Sequence, residues 1–103
     1  MSELFFTNGS VARIEQDNPM IQAIREKGFE PQFSPDVGAV VSSNPTHVVA
    51  TELAGLEALF SGRARIFLWV YDPRKQRGDI KQAMRMKSSV IVTRSLMDLA
   101  SHL

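Results

Sequence analysis

Few side chains in this 103-residue chain could do covalent chemistry. His47 and His102 are the only histidines and cysteine is absent, so a transition-metal site lacks ligands, and disulfides and thiol nucleophiles are excluded. There is no G-x-S-x-G elbow for a serine nucleophile, no G-x-G-x-x-G turn and no phosphate loop, and Asn8-Gly9-Ser10 alone is a weak substitute. His47 reads more readily as a capping or surface residue than as a general base. No cofactor and no metal are implied, and the chemistry that remains is the recognition of anions. Residues 71–87, YDPRKQRGDIKQAMRMK, gather half of the positive charge in one stretch, although the whole chain balances 12 Lys and Arg against 11 Asp and Glu. Residues 1–62 hold three bases and eight acids, whereas residues 63–103 hold nine bases and three acids. Such asymmetry bears on partners and steering, and the competing reading is a solvated helix face with a loop.

The elements that would position these residues follow from hydrophobic periodicity and turn chemistry. Residues 4–7 read as a strand running into Asn8-Gly9-Ser10. Asp17-Asn18-Pro19 supplies a cap and a first-turn proline for a helix over 18–27, with Met20, Ile21 and Ile24 on one face and Gly28 as its stop. Residues 29–33 contain Pro31 and suit an edge strand. Residues 37–42 read as a buried strand, and Ser42-Ser43-Asn44-Pro45 as the cap of a helix over 45–61. Residues 65–71, RIFLWVY, form the strongest strand, apolar throughout and therefore central. Asp79 and Gln82 have capping-box spacing for a helix buried through Ile80, Ala83 and Met84. Trp69 and the five methionines are most simply core. Residues 90–93 are another strand, and Ser95 with Asp98 caps a last helix through Leu96, Leu99 and Leu103.

This alternation predicts a small doubly wound α/β domain over residues 1–103. Its parallel sheet has about five strands with helices on both faces, flavodoxin-like or Rossmann-like, with one crossover helix missing between residues 33 and 37. A composition of 44% hydrophobic and 22% charged residues suits one soluble cytoplasmic domain. The N-terminus lacks the pattern of a signal peptide, and no apolar run approaches the roughly 20 residues of a membrane span.

In such a sheet, ligands gather beyond the carboxyl ends of the strands. The candidate residues there are Ser42, Ser43, Asn44 and His47, Asp72 with Arg74, Lys75 and Arg77, and Arg94. Lys81 and Arg85 form an exposed ridge on the adjoining helix. The set admits a phosphate-bearing ligand or an acidic protein partner and allows a homodimer. Nucleic acid is the lesser reading, because no aromatic stacking residue lies between Arg74 and Lys87.

Two resemblances bear on function. GDIKQAMRMKSSVIVTRSL, PDVGAVVSSNP and GLEAL resemble the fourth helix and fifth strand, the third strand with its loop, and the following helix of response-regulator receiver domains. The family's acidic pair falls at Thr7-Asn8, its phospho-accepting aspartate near Val41 or Ser42, and its lysine at Arg94. The resemblance thus implies a degenerate receiver, a non-catalytic regulatory or protein-interaction module. VVSSNPTHVVATELA, IFLWVYDP and the later VIVTRS resemble the acceptor-side half of GT-B glycosyltransferases, which implies a subunit or fragment that needs a partner domain for activity.

Overall fold

The computed structural model describes residues 2–14, 19–86 and 89–103. Five parallel strands, β1 (Ser2–Phe6), β2 (Phe29–Phe33), β3 (His47–Ala50), β4 (Arg65–Trp69) and β5 (Val90–Thr93), form one sheet in the order β2-β1-β3-β4-β5. This is the strand order of a doubly wound, flavodoxin-like sheet, with its switch point between β1 and β3. β4 is an interior strand paired on both sides, as its apolar sequence predicts, although the middle place belongs to β3, and Ile66, Phe67 and Leu68 are all fully buried. Alternate residues of its neighbourhood serve opposite faces. Ile66, Leu68 and Val70 pack with Val48 and Ala50 on one side, while Phe67 packs with Leu4, Phe6 and Val49 on the other. Burying each large side chain of this kind stabilises the fold by about 1.5–3 kcal/mol. Pro31 sits in β2 at the edge, where a strand with one partner tolerates the missing N–H donor.

Helices cover both faces. α1 (Gly9–Arg13), α2 (Pro19–Glu26) and α5 (Leu96–Ser101) lie over one face, represented by Val11, Ile21, Ile24 and Leu99. α3 (Val37–Ser42), a 3₁₀ turn (Glu57–Leu59) and α4 (Arg77–Arg85) lie over the other through Val40, Leu59 and Ala83. The cap expected at Asp17 and Asn18 lies outside the described residues.

Between residues 37 and 61 the structure corrects the sequence reading. Residues 37–42 are helix and not strand; Asp36 accepts a hydrogen bond from the Ala39 N–H as its N-cap, and only Val40 is fully buried. Asn44 follows this helix with φ 54°, the left-handed conformation that ends helices, and Pro45 comes directly after. Ser-Ser-Asn-Pro therefore closes a helix here, whereas the same residues read equally well as the opening of one. The expected helix over 45–61 is instead β3 followed by an irregular crossover. Leu53, Leu56 and Leu59 are buried at intervals of three residues, the period of a 3₁₀ turn. Gly55 breaks the segment at φ 88°, against the Val37 side chain. One crossover does lack an α-helix, but it joins β3 to β4 and not β2 to β3.

Two smaller corrections concern α4. The helix begins at Arg77, two residues before the expected Asp79 cap, and its N-cap Gln76 makes no capping bond. Met84 is 59% exposed, and Met97 on α5 is 70% exposed, so neither belongs to the core.

Candidate functional site

The switch point between the carboxyl ends of β1 and β3 is where a doubly wound sheet opens a crevice. Here the chain closes it. The Asn8 carboxamide oxygen accepts hydrogen bonds from the Thr51 N–H (2.9 Å) and the Thr51 hydroxyl (3.0 Å), and its nitrogen donates to the Glu52 carbonyl (3.1 Å). Asn8 makes these bonds from φ 45°, ψ −131°, a backbone conformation rarely held by a residue with a side chain. Gly9 is needed beside it, because a Cβ there would come within 2.5 Å of the Thr51 hydroxyl. The Ser10 hydroxyl lies within hydrogen-bond reach of the Thr7 (2.7 Å) and Val49 (3.0 Å) carbonyls, and the Thr7 hydroxyl is buried without a partner among the described residues.

The next crevice, between β3 and β4, is closed by Gln76, which is only 2% exposed. Its carboxamide oxygen accepts from the Tyr71 (2.8 Å) and Asp72 (3.0 Å) N–H groups, and its nitrogen donates to the Thr51 and Trp69 carbonyls (2.9 Å each). Asp79 accepts from the Leu53 N–H at 2.9 Å. Asp72 accepts from the N–H groups of Arg74 (3.1 Å) and Lys75 (3.4 Å). At the end of β5, Asp98 accepts from the Arg94 N–H (3.2 Å), and Ser95 accepts from the Asp98 N–H (3.0 Å). Backbone donors that could hold a phosphate at this edge, those of residues 51, 53, 71, 72, 74, 75, 94 and 98, are thus taken by the chain's own carboxamides, carboxylates and a serine hydroxyl.

The residues singled out in the sequence separate into two places. Because residues 37–42 are helical, Ser42, Ser43, Asn44 and His47 lie where the chain enters β3, at the amino edge of the sheet. Asp72, Arg74, Lys75, Arg77 and Arg94 follow β4 and β5 at the carboxyl edge. Ser43 donates its hydroxyl to the Val40 carbonyl (2.6 Å), and Ser42 is exposed. The half-buried His47 ring meets Phe29 edge-on at 4.6 Å and stacks over Phe67 at 6.3 Å, with Nδ1 3.0 Å from the Thr46 hydroxyl oxygen. Burial, and then the Arg65 guanidinium, hold its pKa below the usual 6.5. This is the setting of a packed structural histidine.

Arg74, Lys75, Arg77, Lys81 and Arg85 remain together on α4 and the turn leading into it, all exposed. None has a carboxylate within 4.0 Å among the described residues, where Arg25 pairs with Glu30 (3.8 Å) and the His102 Nε2 lies 3.5 Å from an Asp98 carboxylate oxygen. None of these five cations is therefore paired with Glu52 or Glu57. Arg77, Lys81 and Arg85 follow one another at intervals of four residues along one helix face, and the exposed Met84 lies on the next row.

Among the described residues no three His, Asp or Glu side chains converge as a metal site. The place after the third strand falls at Thr51, not at Val41 or Ser42, and Thr7-Asn8 and Arg94 do follow β1 and β5. Sequence reasoning missed Asn8 and Gln76 as bridges between loops, since their partners are remote in the chain; Asp36 before an apolar run was a legible N-cap. Comparison with family models, with curated proteins and with solved structures found no match. Among the described residues, no helix is long and apolar enough to cross a membrane.

Proposed function

We propose that this chain is a non-catalytic protein-interaction module, regulatory in role, that engages an acidic protein surface through α4 and its lead-in turn. The observation that carries this reading is the group of five exposed cations with no ion-pair partner among the described residues, beside a methionine that is 59% exposed. Arginine and methionine are enriched at interfaces, and methionine adapts its shape to a partner's apolar side chain. Unpaired charges attract an acidic surface and set its orientation. The closed crevices and occupied backbone donors at the carboxyl edge favour this outer surface over a small-ligand site. The lack of an aromatic residue between Arg74 and Met86 favours protein over single-stranded nucleic acid.

The test uses fluorescence anisotropy with a labelled helical peptide in which Glu and Leu occupy opposite faces, and with an oligouridine of similar length. Peptide binding that weakens with salt and is lost in the Arg74→Ser, Lys75→Ser, Arg77→Ser variant, at a nearly unchanged Tm, supports the proposal. Equal loss of peptide and oligouridine binding would indicate a nonspecific polyanion surface and overturn it, as would peptide binding unchanged in the triple variant.

A further inference from the structure

A second, independent feature lies at the opposite edge of the sheet. The loop entering β3 and the loop entering β4 form a cleft of about 250 Å³, open to solvent on one side. At about 30 Å³ per water this is room for roughly eight non-hydrogen atoms. Pro45, Leu59 and Ala64, all buried, give it apolar walls, and Asn44 and Arg63 stand exposed at its rim. The walls follow from the fold: Arg65 N–H donates to the Thr46 carbonyl (2.8 Å) and ties the two loops together, while Gly62 N–H donates to the Leu59 carbonyl (3.2 Å) and turns the chain back. The left-handed backbone of Asn44, required to end α3, sets that residue at the mouth.

We propose that this cleft binds a small aliphatic monocarboxylate. The Arg63 guanidinium has no carboxylate partner among the described residues, and the Asn44 carboxamide makes no hydrogen bond to them. A guanidinium presents a planar fork that matches a carboxylate with two parallel bonds, and a single such fork balances one negative charge. The Thr46 hydroxyl contributes little, since it is turned toward the Glu3 carbonyl (3.5 Å) and His47. No acidic residue lines the cleft. Arg65, exposed and next but one to Arg63 in the chain, adds positive charge beside it. The apolar walls would take the aliphatic body. This site uses none of the α4 surface, so the two proposals stand or fall separately.

Titrating the full chain with sodium isobutyrate, and in parallel with the isosteric neutral isobutyramide, tests the assignment by amide chemical shifts. Saturable shifts confined to Thr46, Ala58, Gly62, Arg63 and Ala64 with isobutyrate, at least tenfold weaker with isobutyramide, are expected. Arg63→Gln should weaken isobutyrate binding at least tenfold, and Ala58→Phe, which fills the cleft, should abolish it while leaving peptide binding at α4 unchanged. Equal shifts with both probes, shifts that do not saturate, or wild-type binding by Arg63→Gln would overturn the proposal.

Discussion

At the scale of single residues, the fold depends on polar side chains that join loops. Gln76 uses both lone pairs of its oxygen and both of its N–H donors on backbone groups of Thr51 just after β3, of β4 and of the following turn, so it satisfies four groups at once. Gln76→Leu keeps the volume and removes all four bonds. It is expected to cost roughly 2–4 kcal/mol, a Tm loss on the order of 10 °C or more, because buried backbone groups are left without partners. A variant within about 1 kcal/mol of wild type by urea unfolding would mean that water replaces the side chain. His47 gives a pH dependence of defined sign. Its folded pKa is lowered below the unfolded 6.5, so its neutral form is the one the fold accommodates. Stability is fully present above about 6.5 and declines as the pH falls through that value, until the folded pKa is passed. His47→Gln should flatten the difference in urea midpoint between pH 7.5 and pH 5, and an unchanged difference would assign it to other groups.

At the scale of elements, what the sequence disclosed depended on whether the signal was local. β4, β5 and α5 carry their evidence within themselves, as an apolar run or a Ser95–Asp98 cap, and they appear where expected. Residues 37–50 do not. Val37–Ser42 and His47–Ala50 are both short and rich in valine, and the choice of which becomes strand is made by the sheet. His47–Ala50 pairs with both β1 and β4 and buries Val48, Val49 and Ala50 completely, whereas the other segment buries only Val40. The same limit hid part of the site: with the two segments exchanged, Ser42, Ser43, Asn44 and His47 seemed to share an edge with Arg74 and Arg94. The basic helix was legible because its charges lie close together in the chain, though Met84 was misassigned by periodicity alone. α4 also carries a cost. Arg77, Lys81 and Arg85 repel one another at i,i+4 spacing, and Lys81→Glu would replace two repulsions with two attractions. The variant should be more stable by roughly 0.5–1 kcal/mol while binding the acidic peptide more weakly, and a loss of stability would show that Lys81 supports the fold.

At the scale of the whole molecule, charge is separated across one small sheet. On the face covered by α3, the 3₁₀ turn and α4, the exposed acids Asp36, Glu52 and Glu57 lie toward α3 and the β3–β4 crossover, while the cations concentrate on α4 over β4 and β5. Nothing within 4.0 Å among the described residues joins the two groups. Attraction between them acts through solvent and is screened over about 8 Å at physiological ionic strength, whereas the repulsion along α4 acts between adjacent turns of one helix. Closer charges interact more strongly, so the repulsive part dominates the salt dependence of folding. Raising sodium chloride from about 20 mM to 500 mM should therefore leave the Tm unchanged or slightly higher, and over the same range the affinity for an acidic partner should fall steeply. Measured on one preparation, the two quantities should move in opposite directions or only the second should move. A Tm that falls together with affinity would place the α4 cations in internal attraction to the acidic half, and the surface would then belong to the fold and not to a partner.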